Sequence, residues 1–200
     1  MRGTSAWLPV LMSYVVMLIV SFTIMLVAGR GKLRRYGFAS PSRWRLANVL
    51  AWGLGIGTLS TLLQAWVGAG DLPVATELTF VQVILLIWCL ASVAEEIFFR
   101  GLIQTALGAL QPYGVHVFGI RLSLPVFLGG ALFALVHLVQ SAMGAGVATV
   151  AIAVGFALLL GLAAGYHRER SGSLVPAILV HALANVGGSI TGLLLGAVAR

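Results

Sequence analysis

Six apolar stretches, at about residues 7–28, 46–68, 79–110, 122–140, 145–166 and 173–197, dominate the chain. Each is at or near the ~20 residues a helix needs to cross a ~30 Å hydrocarbon core. Only 8% of the 200 residues are charged and 60% are hydrophobic, against about 25% charged in soluble domains. Such a surface is incompatible with water. The expected fold is all-α, a polytopic transmembrane bundle of about six spans in which residues 1–200 form a single membrane domain. No internal repeat, low-complexity tract or linker interrupts it.

The net charge of +7 first invites a nucleic-acid partner, but its distribution follows the membrane. Arg2 alone precedes the first stretch, whereas Arg30, Lys32, Arg34, Arg35, Arg43 and Arg45 follow it. By the positive-inside rule the basic loop is cytoplasmic and the N-terminus outside, and the first stretch is a span rather than a cleavable signal peptide. The alternation continues: Asp71 and Glu77 fall outside, Arg121 inside, Arg168, Glu169 and Arg170 inside, and Arg200 outside. The charge is topological, so no nucleic acid is expected.

Several conspicuous residues have ordinary packing explanations. Gly53, Gly55 and Gly57, like Gly161 and Gly165, lie inside spans, where small residues let helix backbones approach; a nucleotide loop would need a preceding strand. Cys89 excludes an internal disulfide and is expected to pack between helices, lacking the electropositive setting of a reactive thiol. His116 and His167 stand at membrane interfaces and are expected to be solvated. Pro176 is expected to open the last span, where a missing N–H is harmless.

Ionisable groups inside the hydrocarbon are costly and usually mark a site. They are Glu95, Glu96 and Arg100 on the third span, His137 on the fourth, and His181 with the polar Asn185 on the sixth. Glu96 and Arg100 stand four apart with the acid first, the favourable order for an ion pair that lowers the cost of burying both. Glu95 points about 100° away, so the two glutamates are expected to serve different targets. A carboxyl group shielded from water holds a proton more strongly than one in solution, and a nearby imidazole can share it, which suits a general base. Glu95 is the candidate base; its alternatives are a hydrogen bond to a neighbouring helix or a place on an ion path.

His181 and Asn185 share a helix face and could present an imidazole and an amide to a developing oxyanion, or simply knit helices together. Phe133 and His137 also share a face, the ring screening lipid and the imidazole able to orient water. Because spans three and four run antiparallel, Glu95 is expected nearer the inner end of its span and His137 nearer the outer end. Tilt or a re-entrant start to span four would be needed to bring them level.

In order, Glu95-Glu96-Ile-Phe-Phe-Arg100-Gly101, Phe133-Ala-Leu-Val-His137 and His181-Ala-Leu-Ala-Asn185 resemble the CPBP (Abi) family of CAAX-processing and bacteriocin-processing intramembrane endopeptidases. That family, related to the type II CAAX prenyl proteases, carries Glu-Glu-x-x-x-Arg, Phe-x-x-x-His and His-x-x-x-Asn. The resemblance covers about residues 80–190, the expected peptidase core.

It implies an intramembrane endopeptidase of glutamic type in which Glu95 is catalytic, His137 helps it activate water, and His181 and Asn185 stabilise the oxyanion. Glu96, Arg100 and Phe133 support them. It further implies a peptide or protein substrate, cut at a membrane-proximal or C-terminal segment, and a multi-pass enzyme of a bacterial cytoplasmic membrane. No cofactor is expected: zinc could in principle bind a carboxylate and two histidines, but no His-Glu-x-x-His is present and Asn is a poor zinc ligand. The competing readings are a zinc-dependent peptidase, a non-catalytic self-immunity or scaffold protein, and a small transporter using Glu95 as proton carrier. Only two spans precede the Glu-Glu span, fewer than in larger members, which leaves substrate choice open among prenylated C-termini, bacteriocin precursors and sorting tails.

Overall fold

A computed structural model describes residues 7–70, 77–117 and 119–198. Arg2, Asp71 and Arg200, to which the sequence assigns sides of the membrane, lie outside the described residues. Six helices are long and apolar enough to span a bilayer: α1 (Trp7–Gly29), α2 (Leu46–Trp66), α3 (Phe80–Leu110), α4 (Leu124–Ala142), α5 (Val147–Ser171) and α6 (Leu174–Val198). They start and stop within a few residues of the apolar stretches. Helices suit such segments because their backbone hydrogen bonds are satisfied within the segment, where lipid offers no partners. Their outward leucines, valines and isoleucines, such as Val16, Leu59, Leu85 and Leu193, are exposed as a lipid-facing surface requires.

Local chemistry sets the ends. The Thr79 side chain accepts from the Gln82 N–H while Gln82 reaches back to the Thr79 N–H, a capping box that starts α3. The Ser123 hydroxyl accepts from the Val126 N–H, with Pro125 in the first turn of α4. Gly172, with φ of 70°, ends α5, and the Ser173 hydroxyl accepts from the Val175 N–H to open α6. Pro176 falls in that first turn as expected.

Close approach of small residues fixes the neighbours. Gly53 of α2 lies against Val180 and Leu183 of α6, and Gly57 against Ala184 and Gly188, so these two helices run parallel with glycines at the seam. Gly161 of α5 meets Gly130 of α4, where an added Cβ would stand 2.7 Å from the Gly130 Cα. Gly55 faces open space, so only part of the expected glycine packing is realised. α3 runs antiparallel to α6, the Trp88 indole donating to the Ser189 hydroxyl at 3.0 Å near one end of the pair.

Three features differ from expectation. Residues 114–123 form a short antiparallel hairpin, Gly114–Val117 with Ile120–Ser123, rather than a plain loop. Cys89 is exposed on the outside of α3 and packs against no core. His116 is exposed on the hairpin opposite Arg121, but His167 is buried, its ring edge-on to Tyr166 at 5.6 Å. The last turn of α5 is tied to the α1–α2 loop through the Ser42 N–H to Ser171 O and the Arg168 guanidinium to Arg35 O.

α3 is wound unusually. Over Val83–Ala91 and Ile97–Ile103 its backbone closes i→i+5 turns, a π-type winding often found at functional sites. An α-helix advances 100° per residue, so positions four apart drift by about 40° per step; a wider turn removes much of that drift. Ser92, Glu96, Arg100 and Gln104 therefore keep to one side, and all four are buried.

Candidate active site

Ser92 and Glu96 of that stripe meet α6, while Arg100 and Gln104 reach α4 and α5. The Arg100 Nη1 donates to Glu96 Oε1 at 2.8 Å, and the His181 Nδ1 lies 2.8 Å from the same oxygen. A carboxylate oxygen only accepts, so Nδ1 carries the proton. The other imidazole nitrogen, Nε2, stands 3.7 Å from Glu95 Oε2. The two glutamates thus share His181, one at each ring nitrogen, whereas their 100° separation had pointed to different targets. An imidazole inserted from another helix presents nitrogens on two edges, and so spans the angle between adjacent side chains.

Burial separates the pair. Glu96 and Arg100 are 0% and 1% exposed, whereas the Glu95 side chain keeps 17%. Glu96 is locked between two donors; Glu95 has the accessible carboxylate. Arg100 is also held by the Phe133 ring, whose centroid lies 4.5 Å from the guanidinium carbon, an attraction of about 0.5–2 kcal/mol.

Phe133 joins the remaining parts. Its ring centroid is 5.5 Å from that of His181 and 4.9 Å from that of His137. Regular winding of α4 stops at Val136, and His137 turns back so that its Nδ1 donates to the Phe133 carbonyl at 2.9 Å. The carbonyl can only accept, which leaves His137 Nε2 with its lone pair available. His137 and His181 line one cavity of about 500 Å³, together with Phe133 and Asn185. His137 of α4 and His181 of α6 thus meet at one cavity.

Asn185 lies one turn beyond His181, but the two do not aim at a common point. Its amide donates to the Ile87 carbonyl at 3.0 Å and to the Ser92 hydroxyl at 3.1 Å, while His181 is turned to the glutamates. Ser92, Gln104 and Tyr14 are additional polar members that the sequence reading did not single out. Ser92 pins Asn185, and Gln104 donates to the Gly165 carbonyl at 3.1 Å. The Tyr14 hydroxyl of α1 reaches the Glu95 carboxylate. Ser92 and Gln104 were detectable as continuations of the four-residue spacing of Glu96 and Arg100; Tyr14 left no such signal.

Among the described residues no three His, Cys, Asp or Glu side chains gather as a metal-ligand group. Both nitrogens of His181 face carboxylates and Glu96 Oε1 is held by Arg100, while His137 keeps Nε2 unpaired.

Residues 77–187, more than half of the chain, match the family described as Type II CAAX prenyl endopeptidase Rce1-like. The chain belongs to the Rce1-like family. No curated protein and no solved structure matches it. The Rce1-like match takes in Glu95, Glu96, Arg100, Phe133, His137, His181 and Asn185, and leaves α1 and α2 outside it. As an Rce1-like protein with six apolar helices it is an integral, multi-pass membrane protein of a protease family, whose substrate is a peptide or protein.

Proposed function

We propose that the protein is an intramembrane endopeptidase of glutamic type, in which Glu95 and His137 activate a water molecule for direct attack on a peptide bond. The observation that carries the reading is the contrast within the Glu pair: Glu96 is fully buried with its Oε1 held by both Arg100 and His181, while Glu95 keeps an accessible carboxylate beside a cavity lined by two histidines. Glu95 takes a proton from water as the oxygen attacks the carbonyl carbon, with the His137 lone pair orienting that water. The carbonyl π pair moves to oxygen, giving a tetrahedral oxyanion. Its collapse breaks the C–N bond, and the proton held by Glu95 passes to the leaving amine.

In this scheme Asn185 is one oxyanion donor and His181 is the other through Nε2 in its protonated, imidazolium form, its Nδ1–H staying on Glu96. Asn185 would exchange its bond to Ile87 O or Ser92 Oγ for the oxyanion when peptide enters, a donor role typically worth 10²–10³-fold in kcat. The substrate segment is membrane-proximal or C-terminal; the family's description names prenylated CAAX termini, and a bacterial membrane would instead supply precursor or sorting tails.

The test is cleavage of a membrane-anchored peptide by purified protein in lipid vesicles. Glu95→Gln and His137→Ala are expected to abolish turnover while leaving thermal unfolding near that of the parent. Undiminished activity in Glu95→Gln refutes the mechanism.

A further inference from the structure

Among the described residues, the Lys and Arg side chains other than Arg100 gather at one end of the bundle. Arg30, Lys32, Arg34, Arg35, Arg43 and Arg45 lie between α1 and α2, Arg121 on the hairpin, and Arg168 and Arg170 at the end of α5. The Arg168–Arg35, Ser42–Ser171 and Leu174–Gly37 hydrogen bonds draw these loops to one end. Among the described residues the opposite end, formed by the 67–70 and 143–146 turns and the start of α3, carries no Lys or Arg. A bias of this kind fixes orientation, with the arginine-rich end cytoplasmic.

The 500 Å³ cavity runs from His181, Phe133 and Leu160 in the middle of the bundle toward that opposite end. There it is lined by Gln64 near the end of α2 and Ala69 just beyond it, by Val83 at the start of α3, by His137 near the end of α4 and by Leu195 near the end of α6. On the arginine-rich side lies a separate cavity of about 180 Å³, lined by Arg100, Gln104, Arg168 and Glu169, which reaches neither His137, His181 nor Asn185. Arg100 with the Phe133 ring over its guanidinium stands between the two. Beyond the histidines, the polar groups of the larger cavity are neutral: Ser60, Thr61, Gln64, Asn185 and Ser189.

We infer that the catalytic cavity opens to the extracytoplasmic side of the membrane and receives an uncharged, apolar segment of a peptide presented on that side. The inference rests on the peptidase reading for its substrate, but not for its orientation. An acidic or basic segment would have to leave water for a cavity without a fixed countercharge at its mouth, at a cost no lining residue offsets. Neutral donors such as Gln64 and Ser189 suit the amides of an extended backbone.

Two measurements test it in a bacterial host. In a Cys89→Ser background, Val67→Cys and Gln64→Cys should react with a membrane-impermeant maleimide added to intact spheroplasts, and Arg170→Cys only after permeabilisation. The reverse pattern overturns the inference whatever the protein's activity. Single-span reporters carrying an uncharged apolar tail on either the extracytoplasmic or the cytoplasmic end should be cut at least tenfold faster in the former. Faster cutting of the cytoplasmic tail overturns the inference and keeps the peptidase. The expected labelling with no cleavage of either reporter overturns the peptidase reading and leaves the orientation standing.

Discussion

Removing Arg100 should damage the protein less than removing Glu96, and removing both should cost less than the two losses added together. Glu96 Oε1 collects two donors, Arg100 Nη1 and His181 Nδ1, each at 2.8 Å. Breaking a buried ion pair on one side costs about 3–5 kcal/mol, because a charge is left without a partner. In Arg100→Met the carboxylate keeps His181, which sets the loss near the lower limit, about 3 kcal/mol. Glu96→Leu strips both Arg100 and His181, and the loss should approach about 5 kcal/mol. In Glu96→Leu/Arg100→Met no buried charge is orphaned. Only His181 Nδ1 lacks its acceptor, for about 1–3 kcal/mol. The coupling between the two positions should therefore be several kcal/mol, larger than the 0.5–3 kcal/mol usual for contacting residues. Reversible unfolding in bicelles, followed by the tryptophans, measures the four free energies. Strict additivity, or a double variant less stable than either single one, would refute the shared-oxygen arrangement.

Gly161→Leu should cost at least about 1–3 kcal/mol by overpacking, since an added Cβ would stand 2.7 Å from the Gly130 Cα and 3.2 Å from the Arg100 Nη2; the same unfolding assay reads it, and Gly55→Leu, facing open space, should be near neutral. Asn185→Ala should leave Ile87 O and Ser92 Oγ without their donor, destabilise by about 1–3 kcal/mol and lower kcat by 10²–10³-fold. A kcat loss no larger than the loss of folded protein would reduce Asn185 to a helix pin. Incubation with a strong zinc chelator should change the cleavage rate by less than about twofold, because the side chains at the site do not assemble a ligand set. Inhibition reversed by added zinc would revive the metallopeptidase. Tyr14→Phe should slow turnover with little change in unfolding, read as kcat against KM, if its hydroxyl steadies Glu95.

The six spans were legible because the bilayer imposes a length, and runs such as Trp7–Gly29 and Leu174–Val198 meet it without ambiguity. The Glu96–Arg100 pair was equally legible, since i,i+4 spacing is a property of one helix. The double use of His181 was not: it depends on how deeply α6 inserts beside α3, which the Gly53–Val180 and Gly57–Ala184 contacts of a third helix adjust. Hydropathy locates an apolar run but not the point at which its regular winding stops, here Val136, just before His137. The hairpin at 114–123 escaped notice because its strands are four residues each and largely exposed. The burial of His167 depends on tertiary packing around the end of α5, which hydropathy does not report.

The winding of α3 makes the site a matter of count as well as of chemistry. Deleting any one of Ile97, Phe98 or Phe99 would shorten the Glu96–Arg100 spacing and rotate everything beyond it by roughly 100°, swinging the guanidinium away from Glu96 and Phe133. The apolar profile of the span would hardly change. A gene one codon shorter would thus still encode a six-helix membrane protein, with every signature residue present and its catalytic side chains out of step.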